Sequence, residues 1–223
     1  IYDATINNTP RVAKEAIKHF LNSLHYPLYH FDFETFDLAV PRFDRSRPWQ
    51  KLPFQFSCHI EQEDGTTAHK EFLADEAGDP RPALLKAMKD IFAETTGDIL
   101  VYYQTFERGR IQELMNDFPE HQDWLQGMLD RMVDLHVPFK NFSYYHPEQH
   151  GSTSIKKVLP VLTGKSYADL EIQNGGDASM LYYYSHYGDL EGKEKIRKNL
   201  LEYCKLDTES MVWIVGELKR LVY

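Results

Sequence analysis

The sequence predicts an α/β domain built on a mixed β-sheet flanked by α-helices, and three observations carry the prediction. An aromatic-rich strand pattern is followed by an alternating hairpin; helical and strand patterns then alternate; only helical patterns follow Ser152. No repeat, low-complexity tract or linker interrupts the 223 residues, which read as a single domain with residues 1–26 as a helical lead-in and 27–223 as its core.

Each element has its own signal. Residues 10–24 space apolar side chains at helical intervals, with Pro10 suited to the first turn. Residues 26–36, "YPLYHFDFETF", read as a strand bounded by Pro27 and Pro41. The alternating stretches 53–62 and 67–74 flank "EDGT" and predict a hairpin. Residues 79–95 read as an amphipathic helix starting after Asp79. A short apolar strand at 97–104 runs directly into a helix at 106–118, and 131–139 reads as a further strand. Helical patterns then cover 152–164, 177–188 with a cap at Asp177, and the long 192–223.

Composition narrows the function classes. Hydrophobic residues make up 42% and aromatics 13%, enough for a real core rather than a disordered chain. No apolar run approaches the roughly 18 residues of a membrane helix, and the polar start lacks a signal-peptide core. Cys58 and Cys204 lie in apolar surroundings, as buried reduced thiols do, so a cytoplasmic protein without membrane association is expected. The chain begins with Ile, which predicts that it belongs to a longer parent carrying further domains. A net charge of −9 argues against nucleic-acid binding through bulk positive charge, but not against phosphate contacts made by bound metal ions.

The strand at 26–36 poses the central question, because it carries two carboxylates among aromatics. Residues two apart on a strand share a face, so Asp32 and Glu34 point together, about 7 Å apart, within reach of one ion. Alone, such a pair is usually a solvated strand face. A second acidic segment carries Glu107, which follows the short strand at its junction with a helix, where the helix dipole alone would favour it. In the third segment Asp207 sits four residues after Tyr203 on a largely apolar helix, where an acid needs a partner or a cation.

In order, "FDFET", "YYQTFE" and "YCKLD" resemble the three exonuclease motifs of the DEDD superfamily of 3′–5′ exonucleases, which are DnaQ-like and RNase H-fold. Tyr203-x-x-x-Asp207 resembles the tyrosine branch. "RMVDLH" resembles the strand after the second motif, and "SIKKVLPVLTG" the helix that often opens with Ser-Leu-Lys. The whole is also similar to an uncharacterised bacterial domain family in that superfamily, found near the C-terminus of longer proteins. One departure is clear: the second motif usually carries Asn, then an aromatic and Asp, where this chain has Gln104, Phe106 and Glu107. Glutamate keeps the carboxylate but is one methylene longer.

The resemblance implies an RNase H-like sheet and a two-metal phosphodiester hydrolase acting on the 3′ end of DNA or RNA. It implies that Asp32, Glu34, Glu107 and Asp207 hold two divalent cations, Mg²⁺ or Mn²⁺, with Asp32 bridging. Tyr203, with an ordinary pKa near 10, is a poor base and is cast as the orienter of the attacking water. Thr35, Phe36 and Gln104 are the expected substrate contacts, with Arg42, Arg45, Arg47, Lys51 and Trp49 of the following loop and Lys156 and Lys157 as further candidates.

Two alternatives stand beside this reading: an RNase H-like binding or scaffolding module that has lost catalysis, and an endonuclease on the same fold. A zinc site at His136, His146 and His150 fits no closed zinc spacing. "NGGDAS" reads as a loop closing onto a helix cap rather than a phosphate-binding loop, and "LYYYSHY" as packing.

Overall fold

The computed structural model describes residues 2–75 and 77–223; Ile1 and Glu76 lie outside them. In chain order the elements are α1 (Tyr2–Asn7), β1 (Arg11–Val12), α2 (Lys14–Asn22), β2 (Leu28–Phe36), β3 (Leu52–Glu61), β4 (Thr67–Leu73), α3 (Arg81–Phe92), β5 (Ile99–Val101), α4 (Thr105–Asp117), α5 (Gln122–Asp130), β6 (Met132–Asp134), α6 (Val137–Lys140), β7 (Tyr144–Tyr145), α7 (Ile155–Thr163), α8 (Gly175–Tyr187) and α9 (Lys193–Val222).

Five strands form one mixed sheet in the order β4-β3-β2-β5-β6. The β2–β3–β4 pairings are antiparallel, while β2, β5 and β6 run parallel. The strand alternation sorts side chains to the two faces. Phe31, Phe33 and Phe56 pack with Leu84, Met88, Ile111 and Leu125 of α3, α4 and α5. Leu28, Phe36, Phe54 and Leu100 pack with side chains of α7, α8 and α9 on the other face. Helices therefore cover both faces of the sheet, as its parallel half requires. α9 buries Leu200, Tyr203, Cys204, Asp207, Met211, Ile214 and Leu218 at helical spacing, which lays one face of a 30-residue helix along the sheet.

Several boundaries differ from expectation. The first long helix begins at Lys14 rather than Pro10, because Arg11–Val12 pairs with Tyr144–Tyr145. α3 begins at Arg81 rather than directly after Asp79, with Pro80 at the N-cap position, and Asp79 Oδ1 accepts the Arg81 N–H at 3.0 Å. The strand expected at 131–139 ends at Asp134, and Pro138 lies in the first turn of α6. The cap of α8 is Asn174, whose side chain accepts the Asp177 N–H at 2.9 Å; Asp177 itself lies inside the helix. Among the described residues, no helix is long and apolar enough to cross a membrane. Both cysteines are free and buried.

Candidate active site

The three acidic segments meet in one cleft of about 600 Å³, lined by Asp32, Glu34, Glu107, Tyr203 and Asp207 among others. Each reaches it for a local reason. Asp32, at the middle of β2, and Glu34, nearer its C-terminal end, stand on the face that α9 covers, beyond the last residue of β2 paired with β5. Glu107 lies in the first turn of α4, just past β5, so both segments deliver their acids at the carboxyl ends of parallel strands. The turn from β5 into α4 passes through Tyr103, at φ 73°. A left-handed backbone at a bulky residue costs about 1–3 kcal/mol and needs support. Asp134 of β6 supplies it, accepting the Tyr103 N–H at 2.9 Å and the His136 N–H at 3.0 Å. Tyr203 and Asp207 share the buried face of α9.

Electrostatics at the cleft are adverse without a cation. Burial, then Asp207, Glu107 and Glu34, push the Asp32 carboxyl well above its usual range. Burial and Asp207 do the same to Glu34, with Lys156 opposing. Burial first, with a contribution from Asp134, holds Glu107 up at about 8, and burial raises Asp207 to about 6. Four acids gathered this tightly cannot all ionise cheaply. Glu107 is 2% exposed, and its Oε2 has no hydrogen-bond partner among the described residues. Such an acceptor is stabilised only by a proton or a cation.

Two neighbours organise the α9 side. Tyr167 donates its hydroxyl to Asp207 Oδ1 at 2.8 Å, within the buried interior. Lys156 donates to the Tyr203 hydroxyl oxygen at 3.1 Å and to the Gln173 carbonyl. With that lone pair taken, the Tyr203 O–H is left to donate, and its proximity lowers the Asp207 carboxyl pKa. Burial and the surrounding acids keep the Tyr203 phenol far above its ordinary pKa, so it remains a donor.

Of the expected substrate contacts, Thr35 lines the cleft, whereas Phe36 and Gln104 do not belong to its lining. Phe36 is 1% exposed and packs against Phe54, Tyr182, Tyr183 and Tyr187, which closes it to any substrate. Its side chain does share the face of Asp32 and Glu34, but α8 covers that end of the strand. Gln104 caps α4 one turn before Glu107, half-buried. The loop after β2 is mostly bound to the protein itself: Lys51 to Asp37 at 2.7 Å, Arg47 to Glu113 at 3.0 Å and Arg45 to the Asp117 carbonyl at 2.7 Å. Arg42 lies over the Tyr187 ring and Trp49 is exposed. Lys157 is exposed and outside the cleft lining, whereas Lys156 belongs to it.

Sequence reasoning missed Tyr167, which sits in a loop without periodicity, and it dismissed the glycine pair 175–176. Both glycines line the cleft, and a Cβ on Gly175 would stand 3.5 Å from Glu34 Oε2. The positive end of α8 thus faces an acid that burial destabilises.

A family described as "Domain of unknown function (DUF2779)" matches residues 29–154, more than half of the chain. The match includes Asp32, Glu34 and Glu107 and stops short of Tyr203 and Asp207. Among curated proteins, the chain is 27% identical over 208 residues to the "uncharacterized protein MG366 homolog" of Mycoplasma pneumoniae, covering 83% of this chain and 31% of that one. It is 24% identical over 241 residues to the "uncharacterized protein UU173" of Ureaplasma parvum, covering 97% and 34%. The chain therefore spans about a third of the length of these relatives. No solved structure matches it significantly. By the match over its sheet and the first two acidic segments, the chain belongs to the DUF2779 family.

Proposed function

We propose that this chain is a metal-dependent 3′–5′ exonuclease of the DEDD tyrosine branch, with an RNase H-like sheet as its scaffold. One observation carries the reading: four carboxylates and a phenol, singled out from three distant segments, line the same cleft. The mixed five-stranded sheet with helices on both faces is compatible with that fold.

The residues fit hard divalent cations. Their donors are carboxylate oxygens, the set that suits Mg²⁺ or Mn²⁺. The unpartnered Glu107 Oε2 and the mutual repulsion of the acids both call for positive charge. Cys204 Sγ lies within 4.8 Å of oxygens of Asp32 and Glu34. Burial and the neighbouring acids push its thiol well up, and its soft sulfur suits a hard divalent cation less than the carboxylate oxygens do. Asp32, Glu34, Glu107 and Asp207 would hold the cations, which supply a water of lowered pKa and offset charge on the scissile phosphate.

The chain's own residues do the rest. Tyr203 stays protonated and directs its O–H into the cleft, where it orients a water or a phosphate oxygen rather than removing a proton. Lys156 fixes that orientation and adds the positive charge nearest Glu34. Tyr167 holds one oxygen of Asp207 and leaves the other for the cleft.

The test is hydrolysis of 5′-labelled DNA and RNA strands, linear and circular, with Mn²⁺. We expect linear strands to shorten stepwise from the 3′ end, circles to survive, and Asp32→Ala to lower the rate at least about a hundredfold. No metal-dependent shortening by the native protein, or equal shortening by Asp32→Ala, rejects the nuclease. Metal binding without hydrolysis would favour the silent module, and cut circles the endonuclease.

A further inference from the structure

Cys204 stands beside two of the cleft acids, and the proposed chemistry leaves it idle. It follows Tyr203 and precedes Asp207 by one helical turn on the buried face of α9. Its Sγ and one carboxylate oxygen each from Asp32 and Glu34 all lie within 4.8 Å of one another. The same sulfur lies 4.0 Å from the Asp32 carbonyl oxygen. Cys58 provides the contrast. It stands opposite Phe31 and Lys70 in the sheet and packs with Phe31, Phe33 and Phe56 in the apolar layer on the other face. A buried thiol ordinarily does this, as a small hydrophobe. Cys204, equally buried, belongs to neither of the two apolar clusters that the described residues form.

Ligands that share a tetrahedral zinc ion, each about 2.0–2.3 Å from it, stand about 3.5 Å apart. The sulfur and the two oxygens are within a side-chain adjustment of that spacing. A thiolate with two carboxylates is a donor set that a hard ion uses in part and a thiophilic ion uses in full. Such an ion displaces the proton of the thiol that binds it. A separate observation in the same cleft also calls for a cation. Glu107 lines it, is 2% exposed, and its Oε2 has no hydrogen-bond partner among the described residues. The two lysines of the lining are engaged: Lys156 donates to Tyr203 and Gln173, and Lys51 pairs with Asp37 at 2.7 Å.

We propose that Asp32, Glu34 and Cys204 form a site for a thiophilic divalent cation, Zn²⁺, which takes the two β2 acids from the hard cations and so represses the cleft's hydrolysis. A metal–sulfur bond forms as the thiol proton leaves to solvent, and no electrons are transferred. The repression rests on the nuclease reading; the binding does not, because it needs only the three side chains.

The test is ultraviolet titration of the reduced, metal-free chain with Cd²⁺, a probe whose bond to sulfur gives a charge-transfer band. The band should saturate at one ion per chain, persist in Cys58→Ala, where Cys204 is the remaining thiol, and vanish in Cys204→Ser. Asp32→Asn should weaken Cd²⁺ binding at least about tenfold. In calorimetric competition, Zn²⁺ should displace Mn²⁺ at least about tenfold less readily from Cys204→Ser than from the native chain. No band in the native protein, a band lost in Cys58→Ala but kept in Cys204→Ser, or equal displacement from both proteins overturns the site. The Cys58→Ala arm decides the matter even if Cys204→Ser fails to fold. The two readings also separate. Cadmium–sulfur binding without Mn²⁺-dependent shortening of nucleic acid rejects the nuclease and keeps the site. Shortening that Zn²⁺ slows equally in the native protein and Cys204→Ser rejects the site and keeps the nuclease.

Discussion

Tyr203 is the residue whose role the geometry defines most narrowly, because its oxygen accepts from Lys156 while its proton is free to donate. Tyr203→Phe removes only that oxygen and leaves all four carboxylates. We predict a fall in kcat of about 10–100-fold, with Mn²⁺ affinity held within about threefold, as for loss of an orienting neighbour. Comparable loss of metal affinity, measured by calorimetry, would show that the phenol holds the carboxylates rather than the reactants. Periodicity puts Asp32 beside Glu34 and Tyr203 beside Asp207, but only the resemblance of the three segments to exonuclease motifs joined these pairs to Glu107. Phe36 was misread because strand alternation says which face a side chain takes, not what covers it. Tyr167 had no periodic signal, and only the folded loop brings it to Asp207.

The register of β2 against β5 decides whether Glu107 reaches Asp32, and Gly97 holds that register. A Cβ at Gly97 would lie 1.8 Å from the Pro27 carbonyl oxygen, an overlap that only backbone movement relieves. The adjoining segment is pinned by Asp98, whose N–H bonds the His25 carbonyl at 2.9 Å and whose carbonyl accepts the Tyr29 N–H at 2.8 Å. Gly97→Ala is therefore expected to destabilise the protein by roughly 2–4 kcal/mol in urea titration and to weaken metal binding. A variant as stable as the native protein would mean that the two segments part without cost. The hairpin and the long final helix were readable because their patterns run for many residues. The β5 and β6 strands are three residues each, too short for their ends to be marked, and α5 fell in a stretch where no element was assigned.

The cleft also sets how stability depends on pH. An acid whose pKa rises on folding binds protons more tightly in the native state, so its contribution is complete below its unfolded pKa and is lost as pH climbs through its folded one. For Asp207 that window runs from 3.8 to about 6, and for Glu107 from 4.5 to about 8. Metal-free protein should lose on the order of 5–10 °C in Tm between about pH 5 and pH 8.5, and Mn²⁺ should restore it. Glu107→Gln should flatten the upper part of that fall; a metal-free Tm that rises with pH contradicts the assignment. The α/β layering was legible in the order of patterns, whereas the convergence of three segments on one cleft is a tertiary fact that the motif order only suggested.

Calorimetric titration of the metal-free chain with Mn²⁺ near pH 7, in two buffers of different ionisation enthalpy, bears most directly on whether these acids form a cation site. The account predicts two bound ions with proton release, since Glu107 near 8 must give up its proton, and loss of binding in Asp207→Ala. No binding, or binding that Asp207→Ala leaves unchanged, would contradict it.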